Sequence, residues 1–402
     1  MSIEELKERA RRVFNERFGK DPNVIARAPG RVELLGNHTD YNGGLVLAAA
    51  IDRFAVVAGR ATTSPGASVH SANFDQTDTF HFGRDQLELG DRTSWARYVR
   101  GVVWALTERQ RPTGGFEAVI AGNVPLGAGL SSSASLQAAI GTFLLSIGFV
   151  EGPKGESEDS RLMSLAQTLQ RGENEFVGVA SGLLDQFTVL FGRAGHAVGL
   201  DCRDLSHRRL PFGPNPPAIV VCDSMTSRSL ADGKYNERRA ECERVVAHFQ
   251  ELQGGEAVRW LRDVTRNQLE SAWDDLDPVG RLRARHVLAE NERVRQGASA
   301  LLAGDVPTFG RLMSASHASS RDDFGNSSPA LDDLIEAAED SPGFLGGKLS
   351  GGGWAGCTVN LVAADQAEAF AESVAEGYAR RTGRRPDVHV CNAVDGASAS
   401  VQ

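Results

Sequence analysis

Four polar clusters carry the chemistry available to this chain. The first, RVELLGNHTDYNGG from Arg31 to Gly44, sets an arginine, a glutamate, an asparagine, a histidine, an aspartate and a tyrosine between two glycine-rich corners, beside an apolar strand pattern. So dense a wall of donors and acceptors asks for a polar ligand. The second, PLGAGLSSSAS from Pro125 to Ser135, has the make-up of an anion cradle. Gly127 and Gly129 let the backbone approach a ligand closely, and the serines open a helix whose free N–H groups and dipole favour phosphate. A serine hydroxyl there could ligate a phosphate-bound magnesium ion; a serine-capped helix after a glycine turn is the alternative. The third, GENEFVGVASGLLDQF, places Glu173 and Asp185 around a small-residue loop, although an isolated aspartate before an apolar run is also a common N-cap. The fourth, GGKLSGGGWAGCTV from Gly346 to Val359, suits close approach by a ligand or a tight hairpin.

These clusters need a scaffold, and the patterning supplies one. Ile3, Leu6, Ala10, Val13 and Phe18 recur at helical spacing before Gly19, so an amphipathic helix opens the chain. From Val24 to about Phe82 short β-branched runs predict strands of one sheet. A helix follows over SWARYVRGVVWALTERQ, then a strand over GFEAVIAG, the glycine loop, and a helix from the serines. That order of strand, loop and helix favours the cradle reading of the second cluster. EGPKGESEDS is a polar surface loop, and the next helix runs to about Phe176. The second half repeats the theme, with strands at AIVVCDS, CTVNLVA and DVHVCNA and helices between them. The fold class is α+β in two domains, 1–205 and 206–402, with the last strand free to return toward the first domain.

Composition narrows the function classes. The chain has 402 residues, 41% hydrophobic and 24% charged, an ordinary globular balance. A net charge of -9 argues against broad nucleic-acid or anionic-membrane binding. No apolar h-region opens the sequence and no run is long enough to cross a bilayer, which points to a cytoplasmic protein. Five scattered cysteines without a C-x-x-C pair indicate neither a disulfide framework nor a zinc site. The nearest imitation of a P-loop, Gly346-Gly347-Lys348, is followed by Leu349 and has Pro342 where the first glycine belongs; a third glycine is missing for a dinucleotide fingerprint. The sequon Asn37-His38-Thr39 reads as accidental.

Taken together, APGRVELLGNHTDYNGG, VPLGAGLSSSAS and GGKLSGGGWAGCTV, with SWARYVRGV, GENEFVGVASGLLDQF, YNERRAEC and SHASSRDDF between them, resemble the galactokinase branch of the GHMP kinases. The resemblance covers essentially the whole chain. It implies a two-domain α+β GHMP fold with the active site in the inter-domain cleft, and transfer of the ATP γ-phosphate to the anomeric hydroxyl of a sugar. By its motifs Asp185 falls on the catalytic aspartate and Arg31 on the arginine beside it. Ser133 and Glu173 match the magnesium ligands, and Gly127, Gly129, Ser131 and Ser132 the phosphate loop. Trp95 and Tyr98 match aromatics flanking the adenine; Asn37, His38, Asp40, Gly182 and Tyr235 match sugar-binding positions. ATP, magnesium and galactose are the implied ligands, and a monomer or weak homodimer the implied assembly.

Departures from the family pattern bear on substrate choice. The family reads Gly-Glu-His where this chain has Gly36-Asn37-His38, and the replaced glutamate contacts the sugar's C6 hydroxyl. Asparagine keeps an acceptor and gains a donor, compatible with galactose. It also removes a charge that would repel a C6 carboxylate, so galacturonate or another C6-altered sugar is the competing substrate. Glu33 stands where asparagine is common, structural or substrate-facing. Asn174, Ser181, Gln137 and Trp354 replace His, Cys, Glu and Phe, each preserving approximate size or polarity, and none falls on a catalytic position. A non-catalytic sugar sensor of the same fold is the other reading, disfavoured by the complete GLSSSAS loop and the presence of both Arg31 and Asp185.

Overall fold

Ser2 opens the first helix with a capping box: the Glu5 N–H donates to the Ser2 hydroxyl while Glu5 accepts from the Ser2 amide. Helix α1 (Ile3–Phe18) stops at Gly19, which takes the left-handed conformation. The structure is a computed structural model describing residues 1–82, 87, 94–108, 110–151, 156–179, 181–226, 233–252 and 258–402. Residues 152–155 of the expected EGPKGESEDS loop lie outside the described residues.

The first sheet is built from β1 (Val24–Leu35), β2 (Leu45–Thr62), β3 (Ala67–Ser71), β4 (Gln76–Phe80), β5 (Gly115–Gly122), β6 (His196–Asp201) and β7 (His207–Pro211). The second holds β8 (Ala218–Asp223), β9 (Phe344–Leu349), β10 (Cys357–Val362) and β11 (Asp387–Cys391), in the order β11-β8-β10-β9. Strand β12 (Ser398–Val401) returns to the first sheet, giving β12-β1-β2-β5-β3-β4 with β6 and β7 branching from β2. Its pairing is antiparallel except between β3 and β5. The helices are α2 (Ala96–Thr107), α3 (Ser132–Ser146), α4 (Glu158–Arg171), α5 (Leu184–Phe191), α6 (Lys234–Leu252), α7 (Arg266–Ser271), α8 (Pro278–Leu302), α9 (Val306–Ser319), α10 (Pro329–Glu339) and α11 (Ala367–Thr382).

Helices α2 to α5 cover one face of the first sheet, through Val102, Phe143, Leu169 and Phe187. Helix α1 covers another part, Leu6, Ala10 and Phe14 meeting Ile25, Val56 and Val119. The two sheets share a central core in which Val32, Leu34, Leu47 and Ile51 pack with Val221, Val359 and Leu361 and with Phe309 and Met313 of α9. Helices α10 and α11 close the second sheet through Leu334, Ala338, Phe370 and Val374.

Strand β1 positions the site. Successive side chains alternate between faces, so Val32 and Leu34 enter the central core while Arg31 and Glu33 face the opposite way. Its pairing with β2 shifts register between Pro29 and Gly30 and again between Glu33 and Leu35, bracketing both charged residues.

Three features stand beside the sequence pattern. Beyond the expected boundary near 205, the strand His207–Pro211 (β7) still pairs with β6 in the first sheet, and the second sheet begins at Ala218. The helix expected to run to Phe176 is α-helical to Arg171 and continues as a π-helical turn over Gly172–Val177. Strands β6, β7 and β9 and helix α10 lie outside the elements expected from the patterning: β7 is HRRLP, too charged to read as a strand, and β9 carries two glycines.

Candidate active site

Every residue singled out from the sequence as catalytic, metal-holding, nucleotide-binding or sugar-binding lines one cavity of about 930 Å³. Residues from both halves wall it: β1, the 127–133 loop and α5 from the first, Tyr235 and the 351–354 loop from the second.

At its centre Asp185, in the first turn of α5, is fixed by three donors. Arg31 Nε and Nη2 approach Oδ1 at 2.8 and 2.6 Å, and Ser131 Oγ donates to Oδ2 at 2.5 Å. Arg31 is itself held by the Gly129 carbonyl, which accepts from Nη1 at 2.6 Å. The glycine loop thus grips the Arg31–Asp185 pair through the Gly129 carbonyl and the Ser131 hydroxyl. Ser131 adopts φ +56° to begin α3, and Gly127 and Gly129 have φ near +75°, a conformation that glycine takes without strain.

Glu173 sits in the π-helical turn and is 4% exposed. Burial raises its pKa, opposed by hydrogen bonds from Ser181 Oγ at 2.7 Å and Gln186 Nε2 at 2.6 Å to its Oε2. Both donors escaped the sequence reading. Gln186 follows Asp185 in LLDQF, so adjacent residues of that motif reach Arg31 and Glu173, and the Ser181 hydroxyl supplies an oriented donor.

The polar wall is built on an aromatic nest. His38, at φ +59°, accepts from Tyr41 Oη at Nδ1 (2.8 Å), and its Nε2–H donates to the Gly352 carbonyl at 3.1 Å. Its ring packs against Phe324 and Tyr235 at 4.5 and 5.3 Å. Burial, with nearby Lys348 and Arg238, lowers its pKa to about 3, so the imidazole is neutral. Asp40 opens a 3-10 turn and is pushed up to about 7, chiefly by burial, with Glu33 and Asp185 adding negative field. A Cβ on Gly182 would stand 1.8 Å from Asp40 Oδ2, so only glycine leaves room for that carboxylate. The Tyr235 hydroxyl has no hydrogen-bond partner among the described residues.

Asn37 is fully committed. Its Nδ2 donates to Glu33 Oε1 (3.0 Å) and the Gly351 carbonyl (2.9 Å), and its Oδ1 accepts from Asn326 Nδ2 (2.8 Å) and Ser320 Oγ (3.3 Å). Its backbone is clamped by α8: Glu290 Oε1 accepts from Gly36 N and Asn37 N, and His286 Nε2 donates to the Asn37 carbonyl. Burial opposes ionisation of Glu290, but Arg293, His286 and Lys348 outweigh it and bring its pKa down to about 2.

Family models match three stretches of the chain. The galactokinase galactose-binding signature matches residues 12–61, the GHMP kinases N terminal domain 97–193 and the GHMP kinases C terminal 298–380. A galactokinase of Roseiflexus sp. is 45% identical over 397 residues, spanning 98% of this chain and 96% of that protein. The chain belongs to the galactokinase family. A galactokinase of Chloroflexus aurantiacus is 43% identical over 96% of this chain and 95% of its own length. Among solved structures, Lactococcus lactis galactokinase complexed with galactose superposes with a TM-score of 0.89 at 33% identity, over 96% of this chain and 98% of that one. A mevalonate kinase at TM-score 0.62 and 17% identity shares the fold.

Galactokinases use ATP with magnesium, and the residues here fit both. Trp95 and Tyr98 line the cavity, and Trp95 Nε1 is buried without a partner among the described residues, a donor left for a base. The Arg97 guanidinium lies 5.0 Å from the Tyr98 ring centroid and donates to its hydroxyl at 3.1 Å. The oxygens of Ser133 and Glu173 are hard ligands of the kind magnesium prefers. Among the described residues no group of three or more His, Cys, Asp or Glu side chains is placed to hold a metal ion.

Proposed function

We propose that the chain transfers the γ-phosphoryl group of ATP to the anomeric hydroxyl of galactose, giving galactose 1-phosphate and ADP. The observation that carries this reading is the placement of Asp185, shared between Arg31 and Ser131 where the phosphate loop meets the polar wall. Phosphoryl transfer depends on positioning and on charge stabilisation. Asp185 accepts the anomeric proton, that oxygen attacks the γ-phosphorus, and ADP leaves. Arg31 holds the carboxylate in line and stabilises charge developing on the transferring group. Ser133 and Glu173 would hold the magnesium ion, which would supply neutralisation of the phosphate charge. Gly127, Gly129, Ser131 and Ser132 cradle the phosphates; Trp95 and Tyr98 enclose the adenine. His38, Asp40, Gly182 and Tyr235 bind the sugar beside Asn37.

The proposed division into domains follows the sheets, falling between Pro211 and Ala218, with β12 belonging to the first. No described helix is long and apolar enough to cross a membrane, and a kinase that draws on ATP fits the cytoplasm.

The test is ADP release with Mg·ATP and a panel of sugars, for the unaltered chain and for Asp185→Asn. Turnover should be highest with galactose, and Asp185→Asn should lower kcat by about 10²–10⁴-fold while sugar binding is retained. An unaltered chain that binds ATP and sugar but turns over neither would sink the reading and favour a sensor.

A further inference from the structure

We propose that Glu33 reads the group at C6 of the sugar, with Lys348 as its fixed counter-ion; this rests on the function proposed above. Position 37, expected from the family pattern to contact C6, carries an amide whose two hydrogens and carbonyl oxygen are all spent inside the protein. It has no capacity left for a ligand. The acidic group stands instead at Glu33, four residues earlier and hydrogen-bonded to Asn37.

Glu33 is poised for the role. Its Oε1 takes the Lys348 ammonium at 2.9 Å and the Asn37 amide at 3.0 Å, while Oε2 has no partner among the described residues; the residue lines the cavity and is 5% exposed. Lys348 is fully buried and gives its other bond to the Leu349 carbonyl at 2.9 Å. A carboxylate so tethered by one oxygen presents the other as a fixed acceptor.

Its place on β1 indicates which sugar group it meets. Arg31 and Glu33 share a face of the strand, roughly 6.6 Å apart along it, a span comparable to a pyranose with its exocyclic oxygens. With the anomeric oxygen at Asp185 beside Arg31, Glu33 lies toward the far end of the ring. Carboxylate and carboxamide have in effect traded positions 33 and 37, and the charge that repels a C6 carboxylate is retained. Galacturonate is therefore disfavoured, and Asn37 does not relax the specificity.

The test measures kcat/KM for galactose, 6-deoxygalactose and galacturonate in the unaltered chain, Glu33→Gln and Glu33→Asp. The unaltered chain should prefer galactose over 6-deoxygalactose by about 10- to 100-fold, the worth of one hydrogen bond to a charged acceptor. Glu33→Gln should shrink that preference to within roughly 3-fold and raise galacturonate relative to galactose, because Lys348 is then unopposed, with KM for ATP unchanged. Glu33→Asp keeps the charge beside Lys348 and withdraws the oxygen by one methylene; it should narrow the same preference and decides the matter if the glutamine variant does not fold. Equal losses for galactose and 6-deoxygalactose in the variants would make Glu33 merely structural and overturn the proposal while leaving the proposed function standing. No turnover of any sugar by the unaltered chain would overturn both.

Discussion

Gly182→Ala tests whether the sugar wall depends on one missing methyl group. The new Cβ would lie 1.8 Å from Asp40 Oδ2, 2.6 Å from Cγ and 3.1 Å from Cβ. Relief to ordinary contact needs the carboxylate to move by about 1.5 Å. Gly182 is not among the positive-φ glycines, so the methyl group meets Asp40 without backbone strain. A misplacement of that size costs on the order of 10²-fold in an oriented site, and a lost hydrogen bond to a charged acceptor costs about 1.5–3 kcal/mol. Steady-state assays should show kcat/KM for galactose falling by about 10²-fold while KM for ATP stays within roughly 2-fold. In an Asp40→Ala background the same methyl group should cost almost nothing, because its target is gone; that double-mutant cycle isolates the clash. A galactose KM and kcat that survive Gly182→Ala nearly unchanged would show that Asp40 is not held where the sugar needs it.

Three further outcomes follow from the same geometry. Asp40 titrates near 7, so its acceptor form declines below that pH, and KM for galactose should rise as pH falls from 8 to 6, with Asp40→Asn flattening the profile. Ser181→Ala removes one of two donors to buried Glu173 and should raise the magnesium concentration needed for half-maximal rate by about 10-fold, read by titration of the metal. Stability against acid has opposed contributions. Asp40 and Glu173, raised by burial, take up protons more readily folded than unfolded and add stability as pH falls toward their unfolded values near 4. His38 and His286, lowered by burial, remove stability as pH falls from about 6.5 toward their folded values, and Glu290 removes it as pH falls from about 4.5 to about 2. Thermal melts should therefore change little between pH 7 and 5 and drop steeply below about pH 4; a melting temperature still level at pH 3 would refute the assignment of these groups.

Much of the site was legible because its parts are local. The PLGAGLSSSAS loop announces itself by lying between a strand pattern and a helix pattern, and LLDQF places Asp185 at a helix start whatever the remainder of the chain does. What stayed hidden is long-range. Asn37 looked like an open ligand position because its partners Gly351, Ser320 and Asn326 lie about three hundred residues away in sequence. Lys348 attracted notice only as a failed P-loop lysine, and nothing within the GGKLSGGG run points to Glu33 as its partner. Helix α10 opens with Pro329 at N1, a usable signal, yet its short run of Leu331, Leu334 and Ile335 gains meaning only against Phe370 and Val374 of α11. Spacing along the chain defines local elements; buried polar pairings belong to the closed fold.

Strand β12 has a consequence for how this enzyme comes into being. Residues 398–401 pair with Val24 to Arg27, on the strand that also bears Arg31 and Glu33, so one flank of β1 is filled only by residues made some 370 positions later. At about 5–20 residues per second of synthesis, the N-terminal sheet waits roughly 20–75 s with that edge open. An open, largely apolar strand edge is a template for pairing with other chains. Assembly of the sheet is thus tied to the synthesis of residues 398–401, and termination before them would leave that flank of β1 exposed.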